Sequence, residues 1–194
     1  MSSKKVLLIA FILVVMAQLY IPAKMILDNE KVLEVGTLFK FRTAPVDPND
    51  PFRGKYIALT FKENSVDIND NEQWAMGETI YVSLQVEDNG FAKIESVSKQ
   101  MPLGHPDVIK AKVRYVREDV PRKVIIDYPF NRFYMEESKA AEAEKTYRQL
   151  IADTTRVTYA LVSVKEGEAV LKDVQIDGVS IIGIVNNKQK EKKE

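Results

Sequence analysis

Short runs in which apolar and polar residues alternate dominate the chain between residues 33 and 185. Alternation of this kind is typical of strands that bury one face, because successive side chains point to opposite sides. The clearest run is 79–87, and the Asn89-Gly90 pair that follows it suits the positive φ angles of a tight hairpin. The predicted strands are 33–43, 54–61, 79–87, 91–98, 108–117, 123–128, 156–164, 169–176 and 179–185.

One segment of the body, 136–152, has a helical pattern instead. Acidic residues begin it and basic residues follow, which complements the helix dipole. Its apolar stripe is narrow and predicts a helix lying on the surface of a sheet: Ala140, Ala143, Tyr147, Leu150 and Ile151. The predicted fold class is α+β, a mostly antiparallel β domain of about eight strands with one surface helix.

The N-terminus has neither of these patterns. Residues 6–21 form an uncharged run in which only Gln18 is polar, preceded by Lys4 and Lys5 and closed by Pro22 and Lys24. As a helix, the run would span about 24 Å, slightly less than the hydrocarbon core of a bilayer. Two interpretations stay open: a signal-anchor with its lysines in the cytoplasm, or a cleaved signal peptide ending near Ala17.

This run divides the chain into three parts. Residues 1–24 are the signal-anchor or signal peptide, 25–187 are a single β-rich domain, and 188–194 are a charged tail that we predict to be disordered. A body of this size suits one domain with a sizeable core.

Charge and composition exclude several classes of function. The 28 basic and 28 acidic residues balance, but removing those of residues 1–24 and 188–194 leaves 21 basic and 26 acidic in the body. A nucleic-acid-binding domain has the opposite sign, so nucleic acid is not an expected partner. The absence of cysteine excludes disulfides, thiolate zinc sites and cysteine nucleophiles. Walker, Rossmann and zinc patterns are absent, so no cofactor is predicted.

The stretch 45–61 carries a resemblance to a known family. It joins a Pro/Asp/Asn loop to a basic turn and then to an alternating run, and it resembles the signature Gly-Asp-Tyr-x-x-Leu-x-Tyr of the GDYXXLXY family. Gly54, Tyr56 and Leu59 match, whereas Lys55 replaces the Asp and Phe61 replaces the last Tyr. The lead-in is also similar to that family, and so are later blocks of the chain: Pro45, Asp47, Pro48 and Arg53, then Arg132, Phe133, Tyr134, Glu136 and Glu137, then 169–174, Asp177 and Gly178.

The resemblance covers about residues 6–180. It implies a bacterial protein anchored in the cell membrane by a single span, with its domain on the extracytoplasmic side and a multi-spanning membrane protein as its partner. If the N-terminal segment is cleaved, it implies a secreted or periplasmic domain instead. The family has no established reaction. If the Asp of its signature were a ligand or a catalytic acid, Lys55 would leave this chain without it.

Arg53 is the residue of this stretch best suited to recognition. A guanidinium can hold a carboxylate or phosphate, and Gly54 permits close approach of a backbone. The alternative is a tight strand entry in which Arg53 forms a structural bridge with Asp47 or Asp50. The residues predicted to contact a ligand or partner are Arg53, Arg132, Tyr134 and Glu136.

Two further groups resemble known site chemistry only weakly. Asp67, Asn69, Asn71 and Glu78 have the ligand spacing of a calcium loop, but Glu72 stands where that loop needs Gly, so a polar turn is the better interpretation. His105 is the single histidine and lies in a predicted turn, which excludes a site built from several histidines. We therefore predict no metal site.

These observations lead to two functional hypotheses. The first is a non-enzymatic, membrane-tethered accessory module of an envelope membrane protein complex, with residues 45–55 as its contact surface. The alternative is an envelope small-ligand-binding or hydrolytic domain that uses Asp47, Arg53, Arg132 and Glu136. The two differ in geometry, because the alternative requires these side chains to converge in one concave pocket.

Overall fold

The computed structural model of the chain describes residues 3–44, 56–69, 72–153 and 155–191. It contains three helices, α1 (Ser3–Val35), α2 (Glu137–Ile151) and α3 (Ile181–Glu191). The strands are β1 (Thr37–Ala44), β2 (Tyr56–Ala58), β3 (Thr60–Phe61), β4 (Ser65–Asp67), β5 (Thr79–Val86), β6 (Ala92–Ser98), β7 (Val108–Arg117), β8 (Lys123–Asp127), β9 (Arg132–Tyr134), β10 (Thr158–Lys165), β11 (Glu168–Ile176) and β12 (Val179–Ser180).

The strands form two five-stranded sheets and one short ribbon. The first sheet has the order β12-β11-β10-β1-β3, the second has the order β4-β8-β7-β5-β6, and β2 pairs with β9 in the ribbon. Neighbouring strands are antiparallel in all three. The predicted fold class, a mostly antiparallel β domain behind an apolar N-terminal helix, is therefore confirmed, with more and shorter strands than the sequence pattern predicted.

An aromatic cluster joins the two sheets. Phe41 of β1 and Phe61 of β3 meet Tyr128 and Phe130, which follow β8, and their ring centroids lie 5.1 to 5.9 Å apart. All four rings are buried, and the Tyr128 hydroxyl donates a hydrogen bond to the Glu63 carbonyl at 2.9 Å. Aromatic burial of this extent is a large hydrophobic contribution to a domain core.

The tip of the β10–β11 hairpin joins the sheets a second time. Glu166 N–H donates to the Pro106 carbonyl at 2.8 Å, and Gly167 N–H donates to the Val108 carbonyl at 2.9 Å. Gly167 and Ile109 also form a parallel bridge. The positive φ of Gly167, 93°, is a conformation that glycine adopts without strain.

Helix α1 is longer than the predicted apolar run. It continues through Pro22 and ends at Val35, so the predicted strand 33–43 was wrong at its first residues and begins at Thr37. Over Leu7–Val35 the helix is long and apolar enough to cross a membrane, with a mean hydropathy of 2.0 and no burial in its apolar window. A signal sequence near an N-terminus can meet the same criterion of length and hydropathy.

The predicted helix of the body is confirmed as α2, but the end of the chain differs from the prediction. After two residues of β12, the predicted strand 179–185 becomes helix α3. Ile181 and Val185 are buried four residues apart, which is helical spacing. Helix α3 packs against α2 and β11 and extends into the predicted tail as far as Glu191.

Candidate functional site

The signature stretch passes from the ribbon to the first sheet. Tyr56, Ile57 and Ala58 form β2, and Thr60 and Phe61 form β3, where Phe61 pairs with Thr43 of β1. Leu59 lies between the two strands, and its N–H donates to the Asn131 carbonyl at 2.9 Å. The alternation predicted for this stretch holds, because Ile57, Leu59 and Phe61 are all buried.

The pairing of β2 with β9 in the ribbon brings Tyr56 close to Arg132 and Tyr134. Tyr56 lies opposite Tyr134, and Ala58 lies opposite Arg132. Alternation then places these side chains on one face, while Ile57 and Phe133 enter the core from the other. We call Tyr56, Arg132 and Tyr134 the ribbon face.

The three side chains of the ribbon face contact one another. The two tyrosine rings lie 5.4 Å apart between centroids at an angle of 55°. The Arg132 guanidinium carbon lies 5.1 Å from the centroid of the Tyr56 ring, which is within the range of a cation–π contact. Tyr134 remains 62% exposed and Arg132 is exposed as well. The face is therefore ordered by its own contacts but open to solvent.

The electrostatics of this face favour a permanent positive charge. The pKa of the Arg132 guanidinium is raised above its ordinary value. The hydrogen bond to Tyr134 has the largest effect, and the neighbouring Tyr56 raises this pKa further. Asp127 lies close enough to contribute in the same direction, and its carboxylate accepts a hydrogen bond from the Asn131 amide at 3.3 Å. A guanidinium beside two phenolic hydroxyls can bind a carboxylate, a phosphate or a peptide carbonyl.

Glu136 lies near the ribbon face in sequence but serves the start of α2. Its carboxylate pairs with Lys139 at 2.8 Å, and its carbonyl accepts the N–H groups of Lys139 and Ala140. Helix α2 packs against β2, so it supports the ribbon from one side. Of the residues predicted to contact a ligand or partner, Arg132 and Tyr134 therefore come together, whereas Glu136, just before α2, forms an ion pair with Lys139 of that helix.

Six residues predicted for the motif lie outside the described residues: Pro45, Asp47, Pro48, Arg53, Gly54 and Lys55. The segment that holds them leaves the first sheet after Ala44 and enters the ribbon at Tyr56. Tyr56, which shares the ribbon face with Arg132 and Tyr134, directly follows it.

The two weaker site predictions fall elsewhere in the fold. Asp67, at the end of β4, pairs with Lys123 at 3.0 Å. Glu78 pairs with Lys99 at 2.8 Å and accepts the N–H of Ala75 at 2.9 Å. Asn71 lies outside the described ranges. His105 is exposed in the loop before β7. Within the described part of the chain, no three His, Asp or Glu side chains are grouped as a metal site would require.

A cavity of about 390 Å³ opens where β7 and β8 meet β11. Its charged lining residues are of both signs: Lys110, Lys112, Asp127 and Glu168. Neither Arg132 nor Glu136 lines it, although Asp127 is shared with the surroundings of the ribbon face.

Sequence reasoning missed the pairing that builds the ribbon face. Residues 129–134 lie between the predicted strand 123–128 and the predicted helix 136–152 and were not predicted as a strand, whereas Arg132–Tyr134 is strand β9. Three residues are too few for a period to be visible. The available signal was the resemblance of the block Arg132-Phe133-Tyr134 to the family described above, which selects these residues but does not show what they pair with.

One comparison with known proteins returned a match. The family model described as GDYXXLXY protein matches residues 18–174, which is most of the chain. No curated protein and no solved structure matches it significantly. The matched region includes the signature strand, the ribbon and both sheets up to Val174 of β11. The chain belongs to the GDYXXLXY family.

Proposed function

We propose that the protein is a membrane-anchored, non-enzymatic interaction module of the bacterial envelope. In this proposal α1 holds it in the membrane, and the ribbon face, together with the adjoining segment 45–55, contacts a multi-spanning membrane protein. The module works by binding, and its two sheets serve to position the ribbon.

Anchoring by α1 is supported by the continuity between the helix and the domain. The helix runs without interruption from its apolar part to Val32, which is buried against the domain. Ser163 of β10 donates a hydrogen bond to the Val32 carbonyl at 2.6 Å. A span ending in such a contact holds the domain close to the bilayer surface.

The extracytoplasmic location is supported by Lys4 and Lys5. They precede the apolar run with no acidic residue among them, and lysines flanking a first span favour the cytoplasmic side. The domain would then be translocated. The intact mass of the purified protein separates an anchor from a cleaved signal, because cleavage after Ala17 would remove residues 1–17.

The single observation that carries the interaction proposal is the composition of the ribbon face. Tyrosine and arginine are enriched at the energetic centres of protein interfaces, where they combine apolar area with hydrogen bonding. Here the side chains of Arg132 and Tyr134 are exposed, that of Tyr56 is half-buried, and the three are held in place by one another and by ribbon pairing. Such preorganisation lowers the entropic cost of binding.

The alternative, a ligand-binding or hydrolytic domain, has less support in the described residues. It needs Arg132 and Glu136 to face one pocket, but Arg132 is stacked on an open face and Glu136 is paired with Lys139. Asp47 and Arg53 lie outside the described ranges. A small molecule that co-purifies with the protein and is lost in Arg132→Ala would favour this alternative.

Co-purification of the full chain from its native membranes in mild detergent tests the proposal. We expect one multi-spanning membrane protein to be retained by the wild type. Arg132→Glu combined with Tyr134→Ala should reduce its recovery at least about tenfold, since truncating a central interface residue costs about 2 kcal/mol or more.

Arg114 and Tyr115 of β7 supply the matched control. They are the same two residue types, both are exposed, and they belong to the second sheet instead of the ribbon. Arg114→Glu with Tyr115→Ala should leave recovery unchanged. Equal loss in both double variants, or retention in both, would contradict the ribbon face as the contact.

A further inference from the structure

We infer that the loop before β7, residues 99–107, inserts the Leu103 side chain into the membrane interface beside α1. The inference rests on the proposed anchoring of α1 in a bilayer. It adds a second, peripheral membrane contact, made by the domain itself with lipid.

The first step places the bilayer surface on α1. Exposed apolar side chains continue along the helix to Leu27, and Asp28 begins its polar part. Leu7 to Leu27 spans about 31 Å as a helix, which matches a hydrocarbon core of about 30 Å. Lys24, paired with Asp28 one turn later, can extend toward the headgroups. The bilayer surface therefore lies near Asp28.

The second step brings the β10–β11 hairpin to that level. From Ser163, whose hydroxyl bonds the Val32 carbonyl, β10 runs back along α1 toward the bilayer. A cavity of about 450 Å³ lies between the helix and the hairpin tip, with Met25, Asp28 and Val32 on one side and Lys165, Glu166 and Glu168 on the other. The hairpin tip therefore lies at the level near Asp28 where the first step places the lipid headgroups.

The third step attaches the loop to the hairpin tip. Glu166 N–H donates to the Pro106 carbonyl at 2.8 Å. The Met101 methyl lies 3.9 Å from the point where a β-carbon on Gly167 would stand. Both ends of the loop's turn are thus fixed at the membrane-proximal end of the domain.

Leu103 lies between these two attachment points and projects from the domain. It is 97% exposed, and Met101 beside it is 39% exposed. Gly104 turns the chain with a φ of 77°, with no atom within 4 Å of the position of a β-carbon. An apolar side chain at the tip of a fixed turn gains free energy on entering an interface beside its own anchor, because its apolar surface leaves water.

The chain provides a matched control for this position. Val120 is 98% exposed in the loop between β7 and β8. Strand β7 begins at Val108 in parallel contact with the start of β11, so it leads away from the hairpin tip. Its ten residues place Val120 roughly 30 Å from the Leu103 loop. The two residues are equally exposed and apolar but lie at opposite ends of one strand.

The experiment uses the full chain in nanodiscs of phosphatidylethanolamine and phosphatidylglycerol, without any other membrane protein. Because the protein has no cysteine, Leu103→Cys, Val120→Cys and Leu13→Cys each accept one nitrobenzoxadiazole label. Lipids carrying nitroxide groups then quench labels that reach the bilayer. We expect at least about twofold quenching at positions 103 and 13, and no quenching at 120, since interfacial insertion reaches about 5–10 Å.

The position of the quenched labels separates the two proposals. Quenching at 13 without quenching at 103 overturns the loop contact and leaves the anchoring intact. A label at 13 that is not quenched overturns the anchoring, and the loop contact fails with it. Equal quenching at 103 and 120 contradicts the orientation in which the Leu103 loop faces the bilayer and Val120 points away from it. If the label at position 103 is shielded from water in native membranes but not in the nanodiscs, the loop contacts a protein partner, and the lipid contact is overturned.

Discussion

At the scale of single residues, the family signature combines two roles. Leu59 and Phe61 are core residues, whereas Tyr56 contributes to an exposed face. Phe61 contacts three other rings of the aromatic cluster. The replacement of Tyr by Phe at this position therefore suits a buried site, where a phenolic hydroxyl would need a partner.

Phe61→Ala should lower the free energy of unfolding by about 3–5 kcal/mol, because it leaves a cavity where the two sheets meet. Tyr134→Ala, on the ribbon face, should change it by less than about 1 kcal/mol. Urea unfolding of the full chain in detergent, followed by the fluorescence of Trp74, measures both. Equal losses would show that the ribbon face is structural.

Buried tyrosines should make the protein sensitive to alkali. The pKa values of the Tyr128 and Tyr147 phenols lie well above the ordinary 10.0, mainly because both side chains are buried. The fold keeps both phenols protonated while the unfolded chain loses these protons near pH 10, so the stability present below that pH is lost as the pH rises above it.

Unfolding midpoints measured from about pH 9 to about pH 11 test this sensitivity. Tyr128→Phe should make the alkaline loss shallower, since one buried ionisable group is removed. Tyr115→Phe, at an exposed tyrosine, should leave the slope unchanged. If the unfolding midpoint falls with pH equally steeply in the wild type and in Tyr128→Phe, buried Tyr128 is not a cause of the alkaline loss of stability.

At the scale of elements, the joint between α1 and β1 depends on a residue without a side chain. A β-carbon at Gly36 would lie 2.5 Å from the Val32 carbonyl oxygen and 2.6 Å from the Ser163 hydroxyl. Both atoms take part in the hydrogen bonds that fix the helix to the first sheet. The close approach of helix and strand therefore requires glycine.

Gly36→Ala should destabilise the domain by about 1–3 kcal/mol through overpacking at this joint. Gly183→Ala is the control, because it lies in α3 with no atom within 4 Å of the added carbon. It should be neutral or stabilising by up to about 1 kcal/mol, as helix propensity predicts. Thermal unfolding in detergent compares them, and a neutral Gly36→Ala would mean that the joint is loose.

Long alternating runs allowed most elements to be predicted. The predicted strand 108–117 agrees with β7 residue for residue, and α2 differs by one residue at each end. The pattern failed where pairing was short or packing decided the conformation. Strands β4 and β9 have three residues each, and in α3 burial of Ile181 and Val185 outweighs the strand propensity of their β-branched side chains.

The candidate site was predictable only in part for a similar reason. Arg132 and Tyr134 could be selected from the sequence because their block resembles the family, but their contact with Tyr56 depends on the register between strands 76 residues apart. Side-chain alternation along one strand does not determine which residues of another strand lie opposite it.

At the scale of the whole molecule, the proposed anchoring fixes the side of the membrane on which the domain lies. With no native cysteine in the chain, Val120→Cys gives one reporter on the exposed β7–β8 loop. A membrane-impermeant maleimide should label it in cells whose outer barrier has been permeabilised while the cell membrane stays intact, because the proposed orientation keeps Lys4 and Lys5 in the cytoplasm and the domain outside it. Labelling that requires lysis of the cell membrane would place the domain in the cytoplasm.

The central claim is that the ribbon face contacts a membrane protein, and photo-cross-linking in native membranes tests it most directly. Tyr134→benzoylphenylalanine places a reactive group on the ribbon face, and Tyr115→benzoylphenylalanine places one on β7 as the control. We predict a single adduct of defined mass with a multi-spanning protein from position 134, lost on Arg132→Glu, and none from position 115. The same adducts from both positions, or none from position 134, would contradict the claim.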